Sequence, residues 1–176
     1  GNLNKLVDMV LDVPSVVKAL ADNCSGKTHS IDWSQAELQK DANKRYDFSA
    51  QKTLDLAQEL YETYKTLTYP RTDSRCLTED LFPLMPDLIK NTGRISAYTP
   101  FVEKILSSPL KMEKRFFNNA KVSDHHAIIP TETDPSTARM PKEHFMIYDM
   151  VVRRMLGAFL GVCEKELSEI ILEDNG

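Results

Sequence analysis

The sequence predicts a mainly α-helical domain with a few short strands. Three observations predict it: a helix-start signal at Ser34, apolar residues at helical spacing from Ala50 to Tyr64, and a one-sided apolar pattern over residues 142–160. Runs rich in β-branched residues are short by comparison: 66–69 (TLTY), 125–130 (HHAIIP) and 168–173 (SEIILE).

Taken in order, residues 3–11 place Leu3, Leu6, Val7, Val10 and Leu11 on one helical stripe, and Val13-Pro14 stops it. Residues 15–22 form another short helical turn, and residues 23–30 (NCSGKTHS) read as a linker. Ser34-Gln35-Ala36-Glu37 is a capping box, with Trp33 and Leu38 as its hydrophobic staple, which predicts a helix over 35–46. Ser49 caps the next helix, predicted over 50–65, whose apolar stripe is Ala50, Leu54, Ala57, Tyr61 and Tyr64. Residues 66–69 are extended, because proline at 70 keeps Tyr69 out of the α region. Thr78 caps a helix that Pro83 and Pro86 interrupt and Gly93 ends. Thr99-Pro100 opens a short helix over 100–107. Residues 108–140 are irregular apart from the extended piece at 125–130. Pro141 opens the last long helix, with Phe145, Tyr148, Val152, Met155, Leu156 and Phe159 on one face.

At 176 residues the chain is long enough to bury a real core. No apolar run approaches the roughly 18 residues of a membrane span, which predicts a protein without a membrane partner. Cys24, Cys76 and Cys163 lie far apart with no C-x-x-C pair, which argues against a disulfide scaffold and fits a reducing cytoplasm. The net charge of −4 leans against a simple nucleic-acid clamp, but the average hides a distribution. Residues 94–121 carry six basic side chains against two acidic ones, whereas residues 163–176 carry five acidic against one basic. The basic stretch can meet phosphate, or it is a solvated face.

Two stretches carry chemistry. Residues 69–75 (YPRTDSR) hold a phenol, two guanidiniums, two hydroxyls and a carboxylate. A tyrosine oxygen can attack phosphorus and keep the broken phosphodiester as a phosphotyrosine ester, and arginine suits the phosphate oxygens. In an extended segment Tyr69 and Arg71 point to the same side. A Thr-Asp-Ser run is also a good turn and cap, so these residues alone leave function open. The second stretch is residues 123–131 (SDHHAIIPT), which holds two of the four histidines. Adjacent histidines on a strand point to opposite faces and do not share a metal easily. One of them near a phosphate can donate a hydrogen bond or a proton; both can also be satisfied within a loop. No metal site is predicted.

Residues 68–74 (TYPRTDS), with Leu77 shortly after, resemble the active-site signature of type IA DNA topoisomerases, and the proline after the tyrosine resembles the topoisomerase III branch. Residues 122–131 (VSDHHAIIPT) resemble the second signature of that branch. Leu38-Gln39, Ala42-Asn43, Phe48-Ser49-Ala50, Thr53-Leu54, Ala57-Gln58 and Leu60-Tyr61 resemble the two helices that lead to the tyrosine. Residues 147–156 (IYDMVVRRML) resemble the helix that follows. The resemblance covers residues 31–172, leaves 1–30 unassigned and 173–176 as a tail, and meets Cys76 where the branch usually has tyrosine.

The resemblance implies helical domain III of that architecture, inserted in a β-rich arch. It implies that Tyr69 is the nucleophile that cuts one DNA strand and holds its 5′ phosphate, that Arg71 binds that phosphate, and that His125 hydrogen-bonds it or passes a proton. Thr72, Asp73, Ser74 and Arg75 would shape the loop and meet DNA, mainly single-stranded. The family binds Mg2+ in an acidic domain with an Asp-x-Asp pattern, and that pattern is absent here. The chain is thus expected to be one domain of a longer enzyme, partnered by its remaining domains, without its own cofactor and inactive alone. The alternative is a non-catalytic helical DNA-binding or regulatory module of the same fold.

Overall fold

The computed structural model describes residues 33–160. The expected helix at 3–11, the turn at 15–22, the linker at 23–30 and the strand-like end at 168–173 lie outside the described residues. Helix α1 spans Gln35–Tyr46, and the Ser34 hydroxyl accepts from the Glu37 backbone N–H at 3.4 Å. The staple residues Trp33 and Leu38 are both buried. The other half of the capping box differs from expectation, because the Glu37 carboxylate engages Arg75 at 2.8 Å. An ion pair across the fold has taken the group that the local motif would use.

Helix α2 spans Ala50–Glu62 behind its Ser49 cap, three residues shorter than the pattern suggested. It buries Thr53, Leu54, Leu56, Ala57 and Leu60, while Ala50 and Tyr61 are exposed. The buried stripe is therefore rotated from the predicted one. Glu79–Leu84 is a 3₁₀ segment containing Pro83, and helix α3 follows over Met85–Thr92 with a proline in its first turn. The Thr78 side chain makes no capping bond; Asn119 reaches across to accept from the Glu79 N–H at 2.9 Å. Gly93 ends α3 at φ −65°, so it needs no left-handed backbone; a Cβ there would sit 3.3 Å from Val102 Cγ1. Helix α4 spans Thr99–Leu106, and the Thr99 hydroxyl donates to Gly93 O at 3.0 Å instead of capping.

Helix α5, Lys142–Phe159, is the centre of the fold. Phe145, Tyr148, Val152, Met155 and Leu156 are buried as predicted, but so are Ile147, Asp149, Met150, Val151 and Arg153. The helix is covered on nearly every side because α2 and α4 both pack on it and Trp33 donates its indole N–H to Met150 O at 3.1 Å. The Arg154 guanidinium lies 4.0 Å from the centre of the Trp33 ring. No helix among the described residues is long and apolar enough to cross a membrane.

The few short strands that the sequence predicts are, among the described residues, three isolated bridges. Trp33 pairs with Ile128, Leu67 with Pro130, and Leu77 with Phe117. Two features interrupt longer ladders. Pro70 and Pro130 have no N–H to donate, and the Thr68, Thr72 and Ser74 hydroxyls take bonds to the neighbouring segment.

Inside this core Arg153 Nε donates to Asp149 Oδ2 at 2.7 Å and the Tyr98 hydroxyl donates to Asp149 Oδ1 at 2.5 Å. Burial and the adjacent Asp149 hold the Tyr98 phenol well above its ordinary pKa. Burial alone would lower Arg153, but the Asp149 carboxylate outweighs it and the guanidinium is held more firmly charged. Removing one partner leaves a buried charge. Asp149→Ala is therefore expected to cost about 3–5 kcal/mol, read by urea unfolding, and the double change Asp149→Leu with Arg153→Met should cost less. A single variant as stable as the parent would show that the pair carries no structural role.

Candidate active site

The site begins where α2 ends. Lys65 takes a left-handed backbone (φ 57°), and the Thr66 N–H donates back to Leu60 O at 2.9 Å. This reverses the chain and sends residues 66–77 back in extended form. Their alternation is regular: Pro70, Thr72, Ser74 and Cys76 are buried, while Arg71, Asp73 and Arg75 are exposed and Tyr69 is half-buried. Period-two side chains thus put Tyr69, Arg71, Asp73 and Arg75 on the outer side, as the sequence suggested for the first two.

The inner side chains tie this segment to residues 116–131. Thr68 N–H donates to Ile129 O at 3.0 Å, and the Thr68 hydroxyl accepts from Ile129 N–H at 3.0 Å. The Thr72 hydroxyl donates to His125 O at 2.9 Å and accepts from the Ser74 N–H at 3.1 Å. The Ser74 hydroxyl lies 3.1 Å from Cys76 O and 3.3 Å from Lys121 O. Ala127 N–H donates to Cys76 O at 3.0 Å. Thr72 and Ser74 therefore shape the loop from within and do not face outward.

This pairing carries His125 to Tyr69. Their ring centroids are 4.4 Å apart, although 55 positions separate them in sequence. His125 is exposed, while its neighbour His126 is half-buried with Nδ1 2.7 Å from Ala127 O. The two imidazoles are thus in different environments, as alternation predicts. Among the described residues Arg71 makes no hydrogen bond or ion pair, whereas Arg75 is held by Glu37. The Ser123 hydroxyl donates to Asp73 at 3.4 Å. Beyond Asp73, residues 73–76 and 120–123 form the walls of an open groove that includes Arg75 and Lys121.

Most other tyrosines lie in different environments from Tyr69. Burial, followed by the Asp134 and Asp149 charges, raises the Tyr148 phenol, and Tyr98 is donated to Asp149. Tyr46 is raised by burial and then by Asp149. Tyr64 also packs on a histidine, but His144 is buried with its Nε2 2.7 Å from Glu59. Sequence reasoning missed one neighbour: it expected Tyr61 in the core, and the ring lies instead at the surface, 5.4 Å from the Tyr69 ring. The helical stripe placed Tyr61 correctly on the side of α2 toward the returning chain, but could not show that the core ends before it. No group of three or more His, Cys, Asp or Glu is placed to hold a metal ion among the described residues.

The half-buried Tyr69 phenol thus packs on the His125 imidazole, with the exposed Arg71 on the same outer side of its segment. Comparison with known proteins gives the family of the chain. The chain matches the DNA topoisomerase family model over residues 4–176. It is 45% identical over 130 residues to DNA topoisomerase 3 of Bacillus cereus, an alignment covering 74% of this chain and 18% of that protein. It is 41% identical over 140 residues to DNA topoisomerase 3 of Bacillus subtilis, covering 80% of this chain and 19% of that protein. The chain belongs to the type IA DNA topoisomerase family, and within it is similar to the bacterial topoisomerase III enzymes. It spans about a fifth of the length of these relatives.

Thr72 bonds directly to the His125 backbone from the segment that carries Tyr69. Thr72→Val should leave His125 O and Ser74 N–H without their partner, costing about 1–3 kcal/mol by thermal or urea unfolding. The ring-to-ring nuclear Overhauser contact between Tyr69 and His125 should weaken with it, and Thr72→Ser should restore both. An undiminished contact in Thr72→Val would show that other bonds suffice.

Proposed function

We propose that residues 31–172 are the tyrosine-bearing helical domain of a type IA topoisomerase, the third domain of that architecture. In the proposed reaction Tyr69 cuts one strand of DNA. The observation that carries the reading is the contact of Tyr69 with His125, with Arg71 on the same outer side. The Tyr69 oxygen attacks the scissile phosphorus as its proton leaves. The bond to the 3′ oxygen breaks, and that oxygen takes up a proton. The 5′ phosphate stays on Tyr69 as an ester, so the energy of the phosphodiester is kept and the reverse attack reseals the strand. The Arg71 guanidinium offsets charge on the non-bridging oxygens as they become more negative. The His125 imidazole, exposed beside the phenol, donates a hydrogen bond to the phosphate or passes a proton.

Mg2+ in the parent enzyme would be held by carboxylates outside this region, where it would help orient the phosphate. Single-stranded DNA would run between this domain and the remaining ones, and the domain would swing away to open a gate while the covalent tyrosine holds one end. Changing DNA topology is then a property of the whole polypeptide. The coverage of only about a fifth of each relative supports that reading.

In the full-length enzyme Tyr69→Phe should abolish the covalent DNA adduct and leave noncovalent binding nearly unchanged, since the ring remains and only the attacking oxygen is lost. Adduct of normal yield mapped to another residue would refute the assignment. The 176-residue chain alone should neither relax supercoiled DNA nor cleave a single strand, and magnesium-dependent relaxation by it would show a complete site within it. Its binding to single-stranded DNA should be weak and fall steeply with salt, because each phosphate contact adds to the salt slope. Titration at two salt concentrations measures this, and tight, salt-indifferent binding would point to stacking in place of charge.

A further inference from the structure

We propose that Tyr61 is a positioning residue for Tyr69, acting through its ring and not its hydroxyl; the inference rests on Tyr69 being the nucleophile. A phenol at the surface of an extended segment turns freely about its side-chain bonds unless neighbours restrict it, and only some of those rotamers aim the oxygen at a phosphorus. Among the described residues Tyr69 has two ring neighbours. His125 comes from the paired segment at 4.4 Å, and Tyr61 meets it edge-on, 5.4 Å away at 78°.

The two supports are both exposed but stand on different elements: His125 lies in an irregular segment held by the Thr72 bond to its carbonyl. Tyr61 stands on the last turn of α2, whose preceding turns are anchored in the core by Leu54, Leu56, Ala57 and Leu60. Tyr61 is 36% exposed and lies outside the buried core, so its ring is free to serve as a neighbour of Tyr69. The Lys65 ammonium lies 5.7 Å from the Tyr61 centroid, from the same left-handed residue that turns the chain back toward Tyr69. The helix end, the turn and the returning segment thus form one local unit, with the Tyr61 ring between Lys65 and Tyr69.

The test is made in the full-length protein carrying this chain, with a single-stranded oligonucleotide at saturating concentration. Single-turnover formation of the covalent adduct is measured beside the Kd for the same oligonucleotide. Loss of one edge-to-face contact predicts that Tyr61→Leu slows adduct formation about three- to tenfold. Its Kd and unfolding midpoint should not move, and Tyr61→Phe should stay within about twofold of the parent, because the ring is kept. A parent-like rate in Tyr61→Leu overturns the proposal. So does a Tyr61→Phe variant as slow as Tyr61→Leu, which would assign the role to the hydroxyl, or a weakened Kd, which would make Tyr61 a DNA contact. Tyr69→Phe is assayed in parallel. Adduct lost there but unaffected by Tyr61→Leu defeats this inference alone, while adduct persisting in Tyr69→Phe defeats the nucleophile assignment and this inference with it.

Discussion

The chain at residues 66–77 satisfies part of its backbone against residues 116–131, through Thr66 O, Thr68 N–H, Cys76 O and Leu77 N–H, while Ser74 and Cys76 N–H take hydroxyls of the segment itself and Thr72 O accepts from Gln35. An unpaired buried N–H or C=O costs as much as a lost hydrogen bond, so this pairing fixes one register. The Thr68–Ile129 and Thr72–His125 bonds lie in the same antiparallel register as the Leu67–Pro130 bridge, and the Ala127–Cys76 bond ties the two segments outside it. A slip by one residue would turn Tyr69 and Arg71 inward and Pro70 and Thr72 outward. It would also separate the Tyr69 ring from His125. The site is thus a consequence of backbone accounting between two segments remote in sequence.

The second requirement is a rigid base for that pairing, and α5 supplies it. Its Met150 carbonyl receives the Trp33 indole, and Trp33 in turn bridges to Ile128 within the paired segment. Asp149 and Arg153 place a charged pair where an apolar contact would stabilise at least as well. Together with Tyr98 they join α5 to the segment just before α4 by directional bonds, which apolar packing alone would not specify.

Local signals were legible wherever a nearby residue completes them. Ser34 and Ser49 cap their helices, Pro141 precedes α5, and helices α1 and α5 lie where periodicity put them. Expectations failed where a distant residue competed. Arg75 drew Glu37 out of the capping box, Asn119 took over the cap before Glu79, and Gly93 drew the Thr99 hydroxyl. The strands reduced to bridges because hydroxyl bonds and prolines interrupt the ladders. At the site, alternation alone showed that Tyr69 and Arg71 share a side, but nothing local could bring in His125. Only resemblance linked it to Tyr69, and the register described above is what makes that link physical.

Charge is the remaining link between this fold and a phosphate ligand. The chain is net −4, and the stretch at residues 94–121 looked like its compensating patch. Part of that patch is already neutralised: Arg94 pairs with Asp134 at 2.7 Å and Arg115 with Glu113 at 2.6 Å. Exposed pairs of this kind add little stability, so they are easily exchanged for other anions, but each exchange returns a carboxylate to water. Among the described residues Arg71 has no carboxylate to give up, and neither have Lys104, Lys111, Lys114 and Lys121 of the basic stretch. In the proposed reaction a phosphate would meet the Arg71 guanidinium on the same outer side as Tyr69, while the basic stretch would supply general attraction.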